Sequence, residues 1–159
     1  KRKGQGKMKE YHVSGELMKG FLGTITYETV LPKNINEVSI RVSFGKREME
    51  TCTDMDRQLC REAWIQNMES EPDDSIIDGL IRGQKTEINV SVFHNGAHLG
   101  CAHRDEMTKE IILSPTYASP GFSIWKPEAG VLKVALHVYQ VLNDHTPYEV
   151  EVMGKELGE

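Results

Sequence analysis

The chain has 159 residues, and 24 Asp and Glu against 19 Lys and Arg give a formal net charge of −5. That length suits one domain with a sizeable core. The charge argues against nucleic-acid and anionic-membrane partners, which need clustered Lys and Arg. No apolar run approaches the ~20 residues of a membrane-spanning helix, and no signal-peptide pattern is visible.

The three cysteines, Cys52, Cys60 and Cys101, exclude a fully paired disulfide framework. Cys52 and Cys60 would bridge only if the residues between them looped back. Free thiols suit a reducing compartment, so a cytoplasmic location is expected.

The first ten residues hold the one basic cluster, Lys1, Arg2, Lys3, Lys7 and Lys9, and read as a solvated, disordered tail. Residues 11–17 form a first strand, broken at Gly20. Residues 21–31 carry Phe21, Ile25, Tyr27, Thr29 and Leu31 on one face, types that suit a pleated sheet. Val38, Ile40, Val42 and Phe44 alternate with polar residues as a third strand.

The period changes at Thr53. Thr53 or Asp54 caps a helix whose apolar positions Met55, Leu59, Cys60, Ala63, Trp64 and Met68 follow a 3.6-residue repeat. Trp64 on that face is expected in the core. The run 71–74 stops the helix. Ile76, Ile77, Leu80 and Ile81 suggest a second, short helix closed by Gly83 in the C′ position. This insertion, 54–82, is expected to cover an open face or end of the fold.

Strands resume with Ile88, Val90 and Val92. Asn95-Gly96 is a strong hairpin signal, because both turn positions take residues that tolerate positive φ. A return strand passes through Leu99 and Cys101, and 110–113 adds another. Then Leu132, Val134, Leu136 and Val138 alternate with Lys133, Ala135, His137 and Tyr139. Turn residues 143–147 lead to a closing strand with Tyr148, Val150 and Val152 inward and Glu149 and Glu151 outward. Residues 154–159 read as a tail or linker.

The stretch 114–152 also resembles the end of the β-sandwich domain that precedes the catalytic domain in some bacterial PHP-type metal-dependent phosphoesterases. Those domains carry an A-T-P-G-Y turn, a Gly-Trp strand start and a closing Y-x-V-x-V strand. Here Ala118 to Phe122, then Gly130 and Val131, then Tyr148, Val150 and Val152 stand at those places. Upstream, Asn95-Gly96 through His103-Arg104 is similar to a Gly-Trp-Ser stretch of the same domains, with Gly100, Cys101 and Ala102 in its place. The resemblance implies an accessory, non-catalytic sandwich that docks a partner domain. A PHP catalytic domain would show His-x-His, which this chain lacks.

Several residue groups have types suited to chemistry. His94, His98 and His103, with Cys101 and Arg104, lie around one hairpin, and imidazole with thiolate suits zinc. Even numbering places His94 and His98 on one strand face and leaves His103 on the other, so turn histidines are expected and not a metal site. Glu69, Glu71, Asp73, Asp74 and Asp78 form an acidic run without calcium-loop spacing. Glu149 and Glu151 share a face but read as an outward, edge-protecting pair. Tyr117 and Trp125, near Phe122, suit an exposed aromatic contact; the alternative is that Phe122 and Trp125 plug one end of the sandwich.

These observations predict a mainly antiparallel β-sandwich of about eight strands, jelly-roll or immunoglobulin-like, with a helical insertion. The expected role is a non-catalytic accessory or interaction domain without a cofactor. A carbohydrate- or small-ligand-binding module using Tyr117, Trp125 and the His94–His103 hairpin is the alternative. A metal-binding role for the histidines ranks last.

Overall fold

The computed structural model describes residues 8–103 and 105–156. The basic cluster at Lys1, Arg2, Lys3 and Lys7, together with Arg104 and residues 157–159, lies outside the described residues. Ten elements follow in order: β1 (Met8–Leu17), β2 (Gly23–Leu31), β3 (Ile35–Phe44), α1 (Asp54–Met68), α2 (Asp74–Gly83), β4 (Glu87–His94), β5 (Ala97–Ala102), β6 (Thr108–Leu113), β7 (Gly130–Gln140) and β8 (Thr146–Glu156).

The strands form two antiparallel four-stranded sheets, ordered β1-β8-β3-β6 and β2-β7-β4-β5. The pairings are nested: β4 with β5, β3 with β6, β2 with β7, β1 with β8. A long hairpin rolled up in this way is a jelly roll, which decides between the two predicted sandwiches. The closing strands β7 and β8 therefore do not pair with each other; the connection between them crosses from one sheet to the other.

The inward faces are the predicted ones. Val38, Ile40 and Val42 of β3 with Val150 and Val152 of β8 meet Val90 and Val92 of β4 with Leu132, Val134 and Leu136 of β7. Period-two alternation puts these residues on one face of each sheet, and their burial against each other is the main driving force for the fold. Tyr27 of β2 and Tyr148 of β8 join the two sheets through their hydroxyls at 2.5 Å.

Three boundaries differ from expectation. Residues 8–10 belong to β1, and Gly154, Lys155 and Glu156 belong to β8, paired with Val38, Glu37 and Ile35. β8 is thus a central strand, so Glu149 and Glu151 face solvent from mid-sheet and protect no edge. Gly83 ends inside α2; the cap is Gln84 in an extended conformation. No left-handed residue closes this helix.

The segment 114–125, between β6 and β7, lies along both sheet edges. Ser119 N donates to Ile112 O at 3.0 Å on β6. Cys101 N donates to Gly121 O, and Ser123 N to Leu99 O, on β5. The unpaired edges of β5 and β6 are covered by one loop. Gly100 must be glycine: its φ is 153°, and a Cβ would collide with the backbone of Gly121 and Phe122. Among the described residues no helix is long and apolar enough to cross a membrane, and all three cysteines are free.

Candidate functional site

The two ends of the sandwich are finished differently. At the end where β4 turns into β5, Trp125 is only 2% exposed. Its ring meets His94 edge-on at 5.5 Å, and its Nε1–H donates to His94 Nδ1 at 3.2 Å. Phe122 packs on the same core. Trp125 is therefore no exposed ligand platform; the plug alternative holds. The reason is the Trp125 N–H bond to Ser114 O, which folds the loop inward over the core. Tyr117 stays exposed, alone among the aromatic residues proposed as contacts.

The histidines are not brought together. A two-residue turn, Asn95 (φ 48°) and Gly96 (φ 80°), pairs His94 with Ala97 and Phe93 with His98. Residues of equal parity then face opposite sides, which corrects the expected shared face. His94 is buried, and burial lowers its pKa, so the ring is neutral. With Nδ1 accepting from Trp125, the proton sits on Nε2. His98 lies outside against the Phe93 ring at 5.0 Å. His103 is exposed, its Nδ1 3.9 Å from Cys101 Sγ. Among the described residues no three His, Cys, Asp or Glu are grouped to hold a metal.

The acidic run is used structurally. Asp73 caps α2 by accepting from Ile76 N at 2.9 Å. Asp78 and Asp74 pair with Arg57, and Glu71 with Arg61.

The opposite end of the sandwich is open, and the insertion stands over it. α1 begins with a capping box: Thr53 Oγ1 accepts from Asp56 N at 3.2 Å, and Asp56 Oδ2 accepts from Thr53 N at 2.7 Å. Burial works to raise the Asp56 carboxyl, but hydrogen bonds from Lys19 and Thr53 outweigh it and hold it below the usual carboxylate range. The base of the insertion is tied by Asn143. Its Nδ2 donates to Lys46 O (3.0 Å) and Glu48 O (2.7 Å), and its Oδ1 accepts from Glu50 N (2.8 Å).

Held this way, α1 does not bury its apolar stripe. Only Asp56 and Cys60 of the helix are buried, while Met55, Leu59 and Met68 are 66%, 55% and 56% exposed. Trp64 is half-buried, with its Nε1–H on Ser70 Oγ at 3.3 Å, and is not the expected core residue. Between the helices and the sandwich end lies a groove of about 950 Å³. Its floor is Phe44, Ile88, Lys109 and Gln140, each the terminal or next-to-terminal residue of its strand; Leu59, Trp64, Met68 and Leu80 give it an apolar wall.

The polar groups here are few. Gln84 Nε2 lies 3.1 Å from Cys60 Sγ, and burial pushes the Cys60 thiol up, so it is no thiolate nucleophile. Lys109 is 3% exposed; its Nζ donates to Glu106 O at 2.8 Å and sits 5.6 Å from the Phe44 ring centre. Burial lowers its pKa, against the opposing pull of Glu106, Asp105 and Glu87. Of the described residues singled out from the sequence as ligand contacts, only His103 lines this groove. Its signal was present as the apolar repeat of α1, whose exposure a sequence pattern does not reveal.

The model of a family of unknown function (DUF6669) matches residues 8–156. No curated protein matches the chain. Among solved structures, a chain of the Cyanophage Pam1 capsid asymmetric unit is similar over 96% of this chain and 87% of that chain, with 11% identity and a TM-score of 0.41. That similarity carries no argument about role.

Proposed function

We propose, for a chain that belongs to this family of unknown function and so has to be read from its own surfaces, a role as a non-catalytic module that binds a small amphipathic ligand in the groove. One observation carries the reading: the apolar stripe of α1 stands uncovered above a cavity of about 950 Å³. Ligand sites are typically concave, largely apolar and supplied with a few polar groups at fixed points. Cys60, Gln84, Lys109 and Gln140 are such groups here. The accessory position implied by the PHP resemblance is compatible with this role, since a ligand-binding sandwich can stand beside a catalytic domain.

The test is titration with the dye 1-anilinonaphthalene-8-sulfonate, read by dye emission and by quenching of Trp64. Ala63 lines the groove from α1 and is solvent-exposed. Ala63→Phe should narrow the groove and weaken dye binding, while costing only about 0.5 kcal/mol of helix propensity. A folded wild-type chain that binds no dye, or an Ala63→Phe chain that binds it undiminished, would remove the groove as the site.

A further inference from the structure

Resting on the groove-binding reading, the nature of the ligand's head group follows from the charges around the cavity. Asp56 is paired with Lys19 at 2.8 Å, and Asp105 with Arg47 and Lys85. Glu87 and Glu106 are exposed, at the rim and in contact with water. Among the described residues of the lining, Lys109 is the buried cation. Its ammonium has three donors, of which the Glu106 carbonyl accepts one. Among the described residues no carboxylate forms an ion pair with it; the other face of the charge meets the Phe44 ring. A buried ammonium is stable only when its charge and its donors are matched, and Lys109 belongs to the lining of the groove.

We infer that the groove takes an amphipathic monocarboxylic acid, its carboxylate accepting hydrogen bonds from Lys109 Nζ and its hydrocarbon or aryl body lying on Leu59, Trp64, Met68 and Leu80. The carboxylate supplies the missing counter-ion and can accept the two unused donors. The apolar body covers the stripe that α1 leaves exposed. A single acidic group fits better than two, because Glu87 and Glu106 at the rim repel a second negative charge. Burial depresses the basicity of Lys109, against the pull of Glu106, Asp105 and Glu87.

The experiment is calorimetric titration of the intact chain at pH 7 with decanoate and with decan-1-ol, which share a chain length and differ in the head. Decanoate should bind about tenfold or more tightly than decanol, the effect of one charge-assisted contact. Lys109→Met should erase that preference. In the wild-type complex, nuclear Overhauser contacts should join the ligand's C2 methylene to the Lys109 ε-methylene, a readout that needs no variant. Equal binding of the two ligands, a preference that survives Lys109→Met, or a head group far from Lys109 overturns the inference and leaves the groove reading intact. Binding of the dye but of neither ligand does the same. Failure of dye, acid and alcohol together overturns both.

Discussion

At the scale of single residues, Trp125 shows how much one side chain can hold. It fills the closed end of the sandwich and satisfies His94 Nδ1 in a site without water access. Trp125→Phe removes part of the ring and leaves a buried acceptor unpaired, so it should cost about 2–4 kcal/mol. Denaturant unfolding checks this, and binding in the distant groove should be unaltered in the folded variant. Sequence reasoning could name the residue but not its direction. Trp125 sits in a loop, where no periodicity tells inside from outside, and its burial is set by the Ser114 bond and the His94 contact. The same limit applied to His94 and His98: parity along the chain held within β4 and inverted across Asn95-Gly96.

At the scale of elements, strands and helices differed in legibility. The faces of β3 and β7 were readable because alternation and burial coincide there: Val38, Ile40 and Val42, and Leu132, Val134 and Leu136, are all buried. The helix α1 was readable as a helix, from its cap and its repeat, yet its apolar stripe did not predict its packing partner. What sets its position is a distant side chain. Asn143, between β7 and β8, bonds to three backbone groups of the segment that leads into α1. Asn143→Ala would strip the Glu48 carbonyl and the Glu50 N–H of this partner and leave Lys46 O with the longer bond from Thr86 Oγ1 at 3.4 Å, at a cost of about 2–3 kcal/mol. Beyond that loss, hydrogen exchange should show α1 and α2 opening far more often than β3 and β4. Equal protection of helices and strands would mean that Asn143 does not hold the insertion in place.

At the scale of the whole molecule, the stability should carry the signature of Lys109. Its folded pKa lies below the ordinary value of 10.5, so the unfolded chain binds the extra proton more readily. Stability then rises with pH through the window between the lowered value and 10.5, and the penalty is fully present below that window. Tyr27 acts in the opposite sense. Its pKa is raised by burial and by the Tyr148 hydroxyl, so its contribution is intact below pH 10 and is lost as pH rises further. Comparison with Lys109→Met cancels the tyrosine: the variant should be the more stable at pH 7, and the gap should close toward pH 10.5. A gap independent of pH would show that the Lys109 charge is not strained.

The nested pairing of the strands also has a consequence in time. Among the paired strands only β4 and β5, joined by Asn95-Gly96, are neighbours along the chain; each further pair encloses the one before, out to Met8 beside Lys155. Non-local pairs of this kind form slowly, because the intervening chain must first be brought together. During synthesis, β1, β2 and β3 leave the ribosome before β8, β7 and β6 exist. A half-made chain therefore presents three partnerless strands, and Val38, Ile40 and Val42 with them, to whatever else is in solution. The architecture that covers the edges of β5 and β6 in the finished molecule leaves the most edge while it is being made.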